Sequence, residues 1–238
     1  MAIQPANDTS LAIDAQAVAR RFGARWVLRG ISLRVQAGEI VGLLGANGSG
    51  KSTLLRICGT LLKCSAGAAR VYGKDVTTDA DAVRAEVGFL AHTPGLYDDL
   101  TARENMTFAA AMLGLPMADI DGALARVGLA AVANERVRGF SAGMQRRLAL
   151  ARLLLRRPRL LLLDEPYSNL DAAGIALMNE VIVEKVREGG AALVVLHELA
   201  PARDMLDRTV TIVDGKVAGA ALPDRSSERV SVASGAAR

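Results

Sequence analysis

Hydrophobic and polar residues alternate at the start of the chain as they do in strands with one buried face. The segment LAIDAQAVARRF (11–22) alternates loosely and ISLRV (31–35) more cleanly, and a period of two residues predicts half-buried strands. The next segment, EIVGLLG (39–45), is almost continuously apolar and ends in glycine. Such a run predicts a strand covered on both faces that leads directly into a glycine-rich loop.

Helical and strand-like segments then follow one another. KSTLLRICGTLL (51–62) and GIALMNEVIVEKVRE (174–188) have the length and pattern of helices, whereas VGFLAH (87–92), LLLLDE (160–165) and ALVVLHE (192–198) are short and apolar. This order predicts the α/β class, with a mixed, mostly parallel sheet that is flanked by helices on both faces.

The stretch between these strands, from about residue 95 to 156, has a helical pattern instead. In it, Thr101 and Glu104 form a capping box (T-x-x-E) at the start of TARENMTFAAAML. The predicted organisation is therefore a single domain over residues 1–222, made of a core (about 10–94 and 157–222) and an inserted helical subdomain (about 95–156).

The end of the chain contains a turn signal and a polar segment. Asp214-Gly215 separates the apolar stretches VTIV and KVAGA, which predicts an antiparallel hairpin. The last residues, 223–238, are rich in serine and charge and are predicted to form a loose tail.

Composition excludes several classes of protein. Hydrophobic residues make up 51% of the chain but aromatic residues only 3%, so the core is aliphatic, which favours buried parallel strands over an aromatic-rich sandwich. No apolar run reaches the roughly 18–20 residues of a membrane-spanning helix, and the N-terminus lacks the features of a signal peptide. We therefore expect a cytoplasmic chain. The net charge is only +4 and the arginines are scattered, so we expect no nucleic-acid partner.

The glycine-rich loop has the pattern of a phosphate-binding loop. Gly45-x-x-x-x-Gly50-Lys51-Ser52 matches G-x-x-x-x-G-K-[ST], with an apolar strand before it and a helix after it. In such a loop, backbone N–H groups and the lysine bind phosphates, and the serine hydroxyl binds Mg²⁺. The candidate nucleotide-binding residues are those of the loop and the first helical turn: Gly45, Ala46, Asn47, Gly48, Ser49, Gly50, Lys51, Ser52 and Thr53.

Two acidic residues end the segment LLLLDE (160–165), directly after its four leucines. Asp164 is expected at the carboxyl edge of the sheet, where it can hold the Mg²⁺ shell together with Ser52. Glu165, one residue later, can polarise the water that attacks the γ-phosphorus. The loop and the acid pair together predict a site for ATP and Mg²⁺ and an ATP hydrolase.

With both motifs present, the chain resembles the nucleotide-binding subunits of ABC transporters over essentially residues 12–220. FSAGMQ resembles the signature turn of that family, usually Leu-Ser-Gly-Gly-Gln, since Ser141 and Gly143 match while Ala142 and Met144 depart. The resemblance implies an ATP cassette in which Ser141 contacts the γ-phosphate bound to a second, head-to-tail copy. The alternative is that Ser141 only begins a helix.

Three further positions resemble the family. SNLD (168–171) resembles the D-loop, which assigns Asp171 to the nucleotide site, and His197 resembles the switch histidine that assists hydrolysis. Phe22 lies where the family has an aromatic residue that stacks on adenine, with Trp26 as the second candidate.

One departure from the family falls in AHTPGLYDDLT. Here His92 occupies the place of the family's glutamine, which contacts the metal or the water. An imidazole can serve either purpose, and its pKa near 6.5 would make coupling sensitive to pH. The alternative is that His92 only packs at a loop. The chain resembles, in particular, the ATPase subunit of the haem exporter in cytochrome c maturation. The segments that carry this resemblance are His92 with the Pro-Gly that follows it, SAGMQRRLALARLLL and YSNLDAAG.

The resemblance implies a motor at the cytoplasmic face of the inner membrane. Its partner would be an integral membrane permease, one of whose cytoplasmic helices enters a groove beside His92 and the 95–115 helix. Alternatives are an export ATPase for a drug, lipid or polysaccharide, a soluble ABC ATPase that acts on DNA or ribosomes, and a sensor that binds nucleotide without hydrolysis. The sensor is disfavoured because Lys51, Asp164, Glu165 and His197 are all present.

Overall fold

The computed structural model describes residues 10–115 and 119–221. These residues form the predicted α/β fold, with a second, smaller sheet that was not predicted. The strands are β1 (Leu11–Phe22), β2 (Arg25–Gln36), β3 (Ile40–Leu44), β4 (Ala66–Val71), β5 (Lys74–Asp75), β6 (Val87–Leu90), β7 (Leu160–Asp164), β8 (Ala191–Val195), β9 (Arg208–Val213) and β10 (Lys216–Ala221). The helices are α1 (Lys51–Cys58), α2 (Ala80–Glu86), α3 (Ala102–Met112), α4 (Ile120–Arg126), α5 (Ala142–Leu154) and α6 (Ala172–Arg187).

The larger sheet has six strands in the order β10-β9-β3-β8-β7-β6. From β9 to β6 all neighbours are parallel, whereas β10 pairs with β9 in antiparallel orientation. The smaller sheet, β2-β1-β4-β5, is antiparallel throughout. The prediction of a mixed, mostly parallel sheet flanked by helices is confirmed.

The parallel strands separate two hydrophobic layers. Every residue of β7 is buried, and the side chains of Leu160 and Leu162 pack with α1 and the smaller sheet. Leu161 and Leu163 pack on the other side with the helices α3 to α6. A strand covered on both faces needs apolar residues at every position, which explains the unbroken leucine run.

The hairpin predicted at Asp214-Gly215 is present. Both residues have left-handed backbone angles, with φ of 48° and 76°, as a two-residue turn between antiparallel strands requires. A Cβ atom on Gly215 would lie 2.4 Å from the carbonyl oxygen of Val27, so this turn packs closely against β2. The N–H of Arg29 also donates to the carbonyl of Gly215 at 2.8 Å.

Helix α1 ends four residues before the predicted end of its segment, at Cys58 rather than Leu62. Gly59 closes the helix through its N–H to Leu55, and Thr60 adopts a left-handed conformation with φ of 62°. Leu61 is therefore turned outward and is 58% exposed. Helix α2 and strands β4 and β5 were not predicted, whereas α4 falls within the stretch from 95 to 156 that was predicted to be helical.

In the order of the chain, helices α3, α4 and α5 come after β6 and before β7. They fall in the segment that was predicted as a helical subdomain. The division into core and subdomain remains a prediction. Within 10–115 and 119–221, no helix combines the length and apolarity that crossing a bilayer requires. The predicted tail, 223–238, and residues 1–9 of the predicted domain lie outside the described residues.

The predicted capping box at the start of α3 is confirmed. The Thr101 hydroxyl accepts from the N–H of Glu104 at 3.1 Å, and the Glu104 carboxylate accepts from the N–H of Thr101 at 2.8 Å. Hydrogen bonds to the Glu104 carboxylate from the backbone N–H and the side chain of Thr101 lower its pKa, because they stabilise the charged form.

We expect Thr101→Ala to lower the free energy of unfolding by about 1 kcal/mol, because it removes the cap. Urea denaturation of the full chain measures this change. Thr107→Ala is the matched control, since Thr107 is an exposed residue within the same helix. Equal stabilities for the two variants would contradict a stabilising role of the cap.

Candidate functional site

The glycine-rich loop connects β3 to α1 in a conformation that requires its glycines. Gly45 and Gly50 have φ of 142° and 110°, angles that residues with a side chain rarely adopt. A Cβ atom on Gly45 would lie 2.2 Å from the carbonyl oxygen of Ile212, and one on Gly50 would lie 2.5 Å from Leu28. The loop backbone therefore already has the curled conformation that phosphate binding needs, and glycine is required at both positions.

The Lys51 side chain crosses this loop. Its Nζ donates to the carbonyl oxygens of Gly45 at 2.6 Å and Ala46 at 2.9 Å. Burial lowers the pKa of Lys51, and the negative charges of Glu165 and Asp164 oppose that shift. The ammonium group is thus bound to the loop carbonyls and feels the charges of the acid pair, and Lys51 lines the cavity, where it can also meet an anion.

Ser52 and Asp164 meet although 112 residues separate them. The Ser52 hydroxyl donates to Asp164 Oδ1 at 2.9 Å, because α1 begins at the edge of the sheet where β7 ends. A hydroxyl and a carboxylate at this distance are the oxygen ligands that Mg²⁺ prefers. The residues therefore fit the predicted metal.

Glu165 lies between two histidines. Its Oε1 is 2.7 Å from His197 Nε2, and its Oε2 is 3.1 Å from His92 Nδ1. The histidines follow β8 and β6, the neighbours of β7 in the sheet, so parallel pairing brings all three side chains to one edge. His92, predicted as a metal or water ligand, thus contacts the carboxylate in this structure.

A cavity of about 590 Å³ connects the loop, Glu165 and the two histidines, whereas Asp164 is bonded to Ser52 but is not part of the cavity wall. Its walls come from the loop, the histidines, Glu165 and the strand β2. The lining residues are Arg25, Val27, Asn47, Gly48, Gly50, Lys51, Ser52, Thr53, His92, Glu165 and His197. Sequence reasoning missed Arg25 and Val27, since only the close approach of β2 to the loop brings them here.

Phe22 lies at the end of β1, directly opposite Arg25 in the ladder. Cross-strand partners project from the same face of a sheet, and Arg25 lines the cavity. Phe22 is 46% exposed, with the guanidinium of Arg20 4.6 Å from its ring centroid. Trp26 follows Arg25 on the opposite face. Neither Phe22 nor Trp26 is among the residues that line the cavity, although Phe22 is on the same face as Arg25, and adenine stacking remains a prediction.

The signature turn lies at the start of α5. The Ser141 hydroxyl accepts from the N–H of Met144 at 3.2 Å and so caps the helix. A Cβ atom on Gly143 would lie 2.9 Å from the carbonyl of Asn169, so the turn packs against the SNLD segment. Ser141 is exposed, and its contact with a nucleotide remains a prediction.

Asp171 has a local contact in this structure. Its carboxylate accepts from the N–H of Gly174 at 2.8 Å and caps α6. Aspartate is one of the residues preferred at this capping position. Its assignment to the nucleotide site remains a prediction.

The chain is similar to proteins of one family. The family described as ABC transporter matches residues 28–168. A "cytochrome c biogenesis ATP-binding export protein" from Xanthomonas oryzae is 40% identical over 211 residues, which cover 88% of this chain and 98% of the relative. An "uncharacterized ABC transporter ATP-binding protein" from Bacillus subtilis is 38% identical over 83% of this chain, but the match spans only 65% of that relative.

A solved structure has the same fold. It is an ATP-binding cassette described as dimeric, in a post-hydrolysis state bound to ADP and Pi. The TM-score is 0.78 at 26% sequence identity, with coverage of 88% of this chain and 98% of that chain.

We expect Lys51→Ala to weaken nucleotide binding at least about tenfold, because a hydrogen bond to a charged group contributes about 1.5–3 kcal/mol. Titration with a fluorescent ATP analogue measures the affinity. Lys63→Ala is the control, since Lys63 is exposed in the loop after α1. An unchanged affinity of Lys51→Ala would mean that this loop does not hold the phosphates.

Proposed function

The chain belongs to the ABC transporter family, and on this premise we propose that it binds and hydrolyses ATP to power export through a separate membrane subunit. The single observation that carries the proposal is the convergence of Lys51, Ser52 and Glu165 on one cavity, with Asp164 bonded to Ser52. The family match alone would allow a cassette that has lost its catalytic groups. Here these groups are present and adjacent.

Hydrolysis would use the residues as follows. The loop N–H groups and Lys51 bind the β- and γ-phosphates, and Ser52 and Asp164 hold Mg²⁺, which supplies charge neutralisation at the phosphates when bound. Glu165 orients the attacking water and accepts its proton. His197, 2.7 Å from the carboxylate, fixes the direction in which Glu165 points.

The active form would be a head-to-tail dimer of two copies. Ser141 is exposed at the start of α5, where the free N–H groups and the dipole of a helix attract an anion. We assign the γ-phosphate of the second copy to this turn, with Phe22 at the adenine. The related cassette described as dimeric supports this arrangement.

The membrane partner would bind at a groove between α1, β6, α3 and α5, which the 95–115 helix borders as expected, although His92 is not among its lining residues. Its lining includes the apolar residues Leu61, Phe89 and Met112, and Leu61 and Met112 are 58% and 72% exposed. Arg152 and Arg156 flank the groove. This surface suits an amphipathic cytoplasmic helix with acidic residues, and it would place the chain at the cytoplasmic face of the inner membrane.

The cargo that we propose is haem, exported for cytochrome c biogenesis. Support comes from the Xanthomonas oryzae relative, which matches over nearly its whole length, and from the resemblance of His92 and SAGMQ to the haem-exporter subunits. Identification of the membrane protein that co-purifies with the full chain tests the cargo. A permease specific for a drug, lipid or polysaccharide would overturn it and leave the motor function intact.

We expect Glu165→Gln to lower the rate of ATP hydrolysis at least about 100-fold, because an amide cannot accept the proton of the water. Since the γ-phosphate would then persist, the variant with ATP and Mg²⁺ should form a dimer. Phosphate release and size-exclusion chromatography measure the two effects. Glu180→Gln, an exposed residue of α6, is the control.

Two results would contradict these assignments. A wild-type chain without phosphate release, alone and with its membrane partner, would make the chain a nucleotide sensor. A Glu165→Gln variant that stays monomeric with ATP, even with that partner, would exclude the shared nucleotide site.

We expect His92→Gln to preserve ATP hydrolysis, because glutamine can also hydrogen-bond Glu165 or a water. His92→Ala should lower kcat about 10-fold or more, since it removes one of the two contacts that hold the carboxylate. Steady-state kinetics with the full chain measure both. Equal rates for wild type and His92→Ala would show that His92 only packs at its loop.

A further inference from the structure

Arg146, on α5, is the most buried arginine among the described residues that contact the site. It is 2% exposed, and all five of its N–H groups can be assigned to carbonyl oxygens. Nε donates to Pro166 at 3.1 Å, Nη1 donates to Ala91 and to His92, and Nη2 donates to Asp164 and to Glu165.

These acceptors belong to two segments that carry catalytic side chains. Asp164, Glu165 and Pro166 are consecutive residues at the end of β7, and Ala91 and His92 follow β6. One guanidinium therefore binds the backbone of both Glu165 and His92, whose side chains contact each other at 3.1 Å. Neither segment is bound to Arg146 through a side chain.

The contacts to β7 coincide with an unusual backbone conformation. Glu165 has φ of 53°, a left-handed angle that costs about 1–3 kcal/mol for a residue other than glycine. Three successive carbonyls, on and beside Glu165, converge on Arg146. The N–H of Glu165 donates to the carbonyl oxygen of Val195 at 3.2 Å. The left-handed turn directs the carboxylate toward the histidines, and Arg146 stabilises it.

The electrostatics of Arg146 fit this arrangement. Burial lowers the pKa of Arg146, and the charges of Asp164 and Glu165 oppose that shift. The guanidinium remains protonated because its pKa is far above neutral in water. A buried cation is stable only when its donors are satisfied. Lysine has three donors and no planar fork, so it cannot replace the five bonds.

We propose that Arg146 is a positioning residue for ATP hydrolysis, which holds the backbone of Glu165 and of the His92 loop in the orientation that aims the carboxylate. The inference rests on the proposed role of Glu165 as the base. It also implies a link to the second nucleotide, because α5 carries Ser141 at its start and Arg146 in its second turn. A movement of the signature turn would therefore act directly on the base of the same chain.

The first test is the steady-state kinetics of Arg146→Lys in the full chain. We expect kcat to fall by about 10-fold to 100-fold, as for a displaced catalytic group, while KM for ATP changes less than about threefold, since Arg146 does not line the cavity. Arg147→Lys is the matched control. Arg147 is the next residue of α5, and its Nη1 donates to the Val127 carbonyl at 3.2 Å, outside the cavity.

The kinetic outcomes distinguish a residue that positions Glu165 from one that only stabilises the fold. A fall in kcat with an unchanged KM, together with near wild-type rates for Arg147→Lys, supports the proposal. A kcat within about twofold of wild type overturns it. An equal loss of nucleotide affinity and rate, or an equal effect of Arg147→Lys, also overturns it, because the arginine would then only stabilise the fold.

The second test measures stability and does not depend on hydrolysis. Glycine adopts a left-handed angle at little cost, so Arg146→Lys should lower the melting temperature less in a Glu165→Gly background than in the wild type. If Arg146→Lys alone does not fold, the double variant should regain folding. Additive effects, or a double variant that also fails to fold, overturn the proposal. If the wild type releases no phosphate, the proposed function fails, while this cycle still decides the role of Arg146.

Discussion

The parallel pairing of neighbouring strands in the larger sheet is the constraint on which the rest of the structure depends. In parallel strands all carboxyl ends meet at one edge of the sheet. Strands β3, β8, β7 and β6 thus deliver, to a single edge, the glycine-rich loop, His197, the acid pair and His92. None of these groups is close to another in sequence, and the apolar layers on both faces fix the register that aligns them.

The features that sequence predicted are those that depend on local chemistry. The phosphate loop, the capping box of α3 and the Asp214-Gly215 turn each follow from backbone requirements within a few residues. The leucine run of β7 follows from burial on two faces. For the same reason the Ser52–Asp164 contact was foreseeable, since each partner ends or begins an element at the sheet edge.

The features that sequence missed depend on tertiary contacts. Strand β4 has the composition AGAARV, which lacks an apolar alternation, and is a strand because β1 pairs with it. The end of α1 depends on the left-handed Thr60. Arg146 stands beside Arg147 in an unremarkable basic helix, and only the packed fold distinguishes the buried guanidinium from its neighbour. Arg25 enters the site in the same way, through the approach of β2.

The contact between Gly215 and Val27 has a consequence for the wall of the cavity. Val27 and Arg25 lie on β2, and the turn between β9 and β10 supports that strand from behind through the Arg29 bond. The β9–β10 hairpin therefore supports the region beside the phosphate loop, although some 165 residues separate the two in sequence. A change in the length of the β9–β10 turn would therefore be transmitted through β2 to the residues that line the nucleotide cavity.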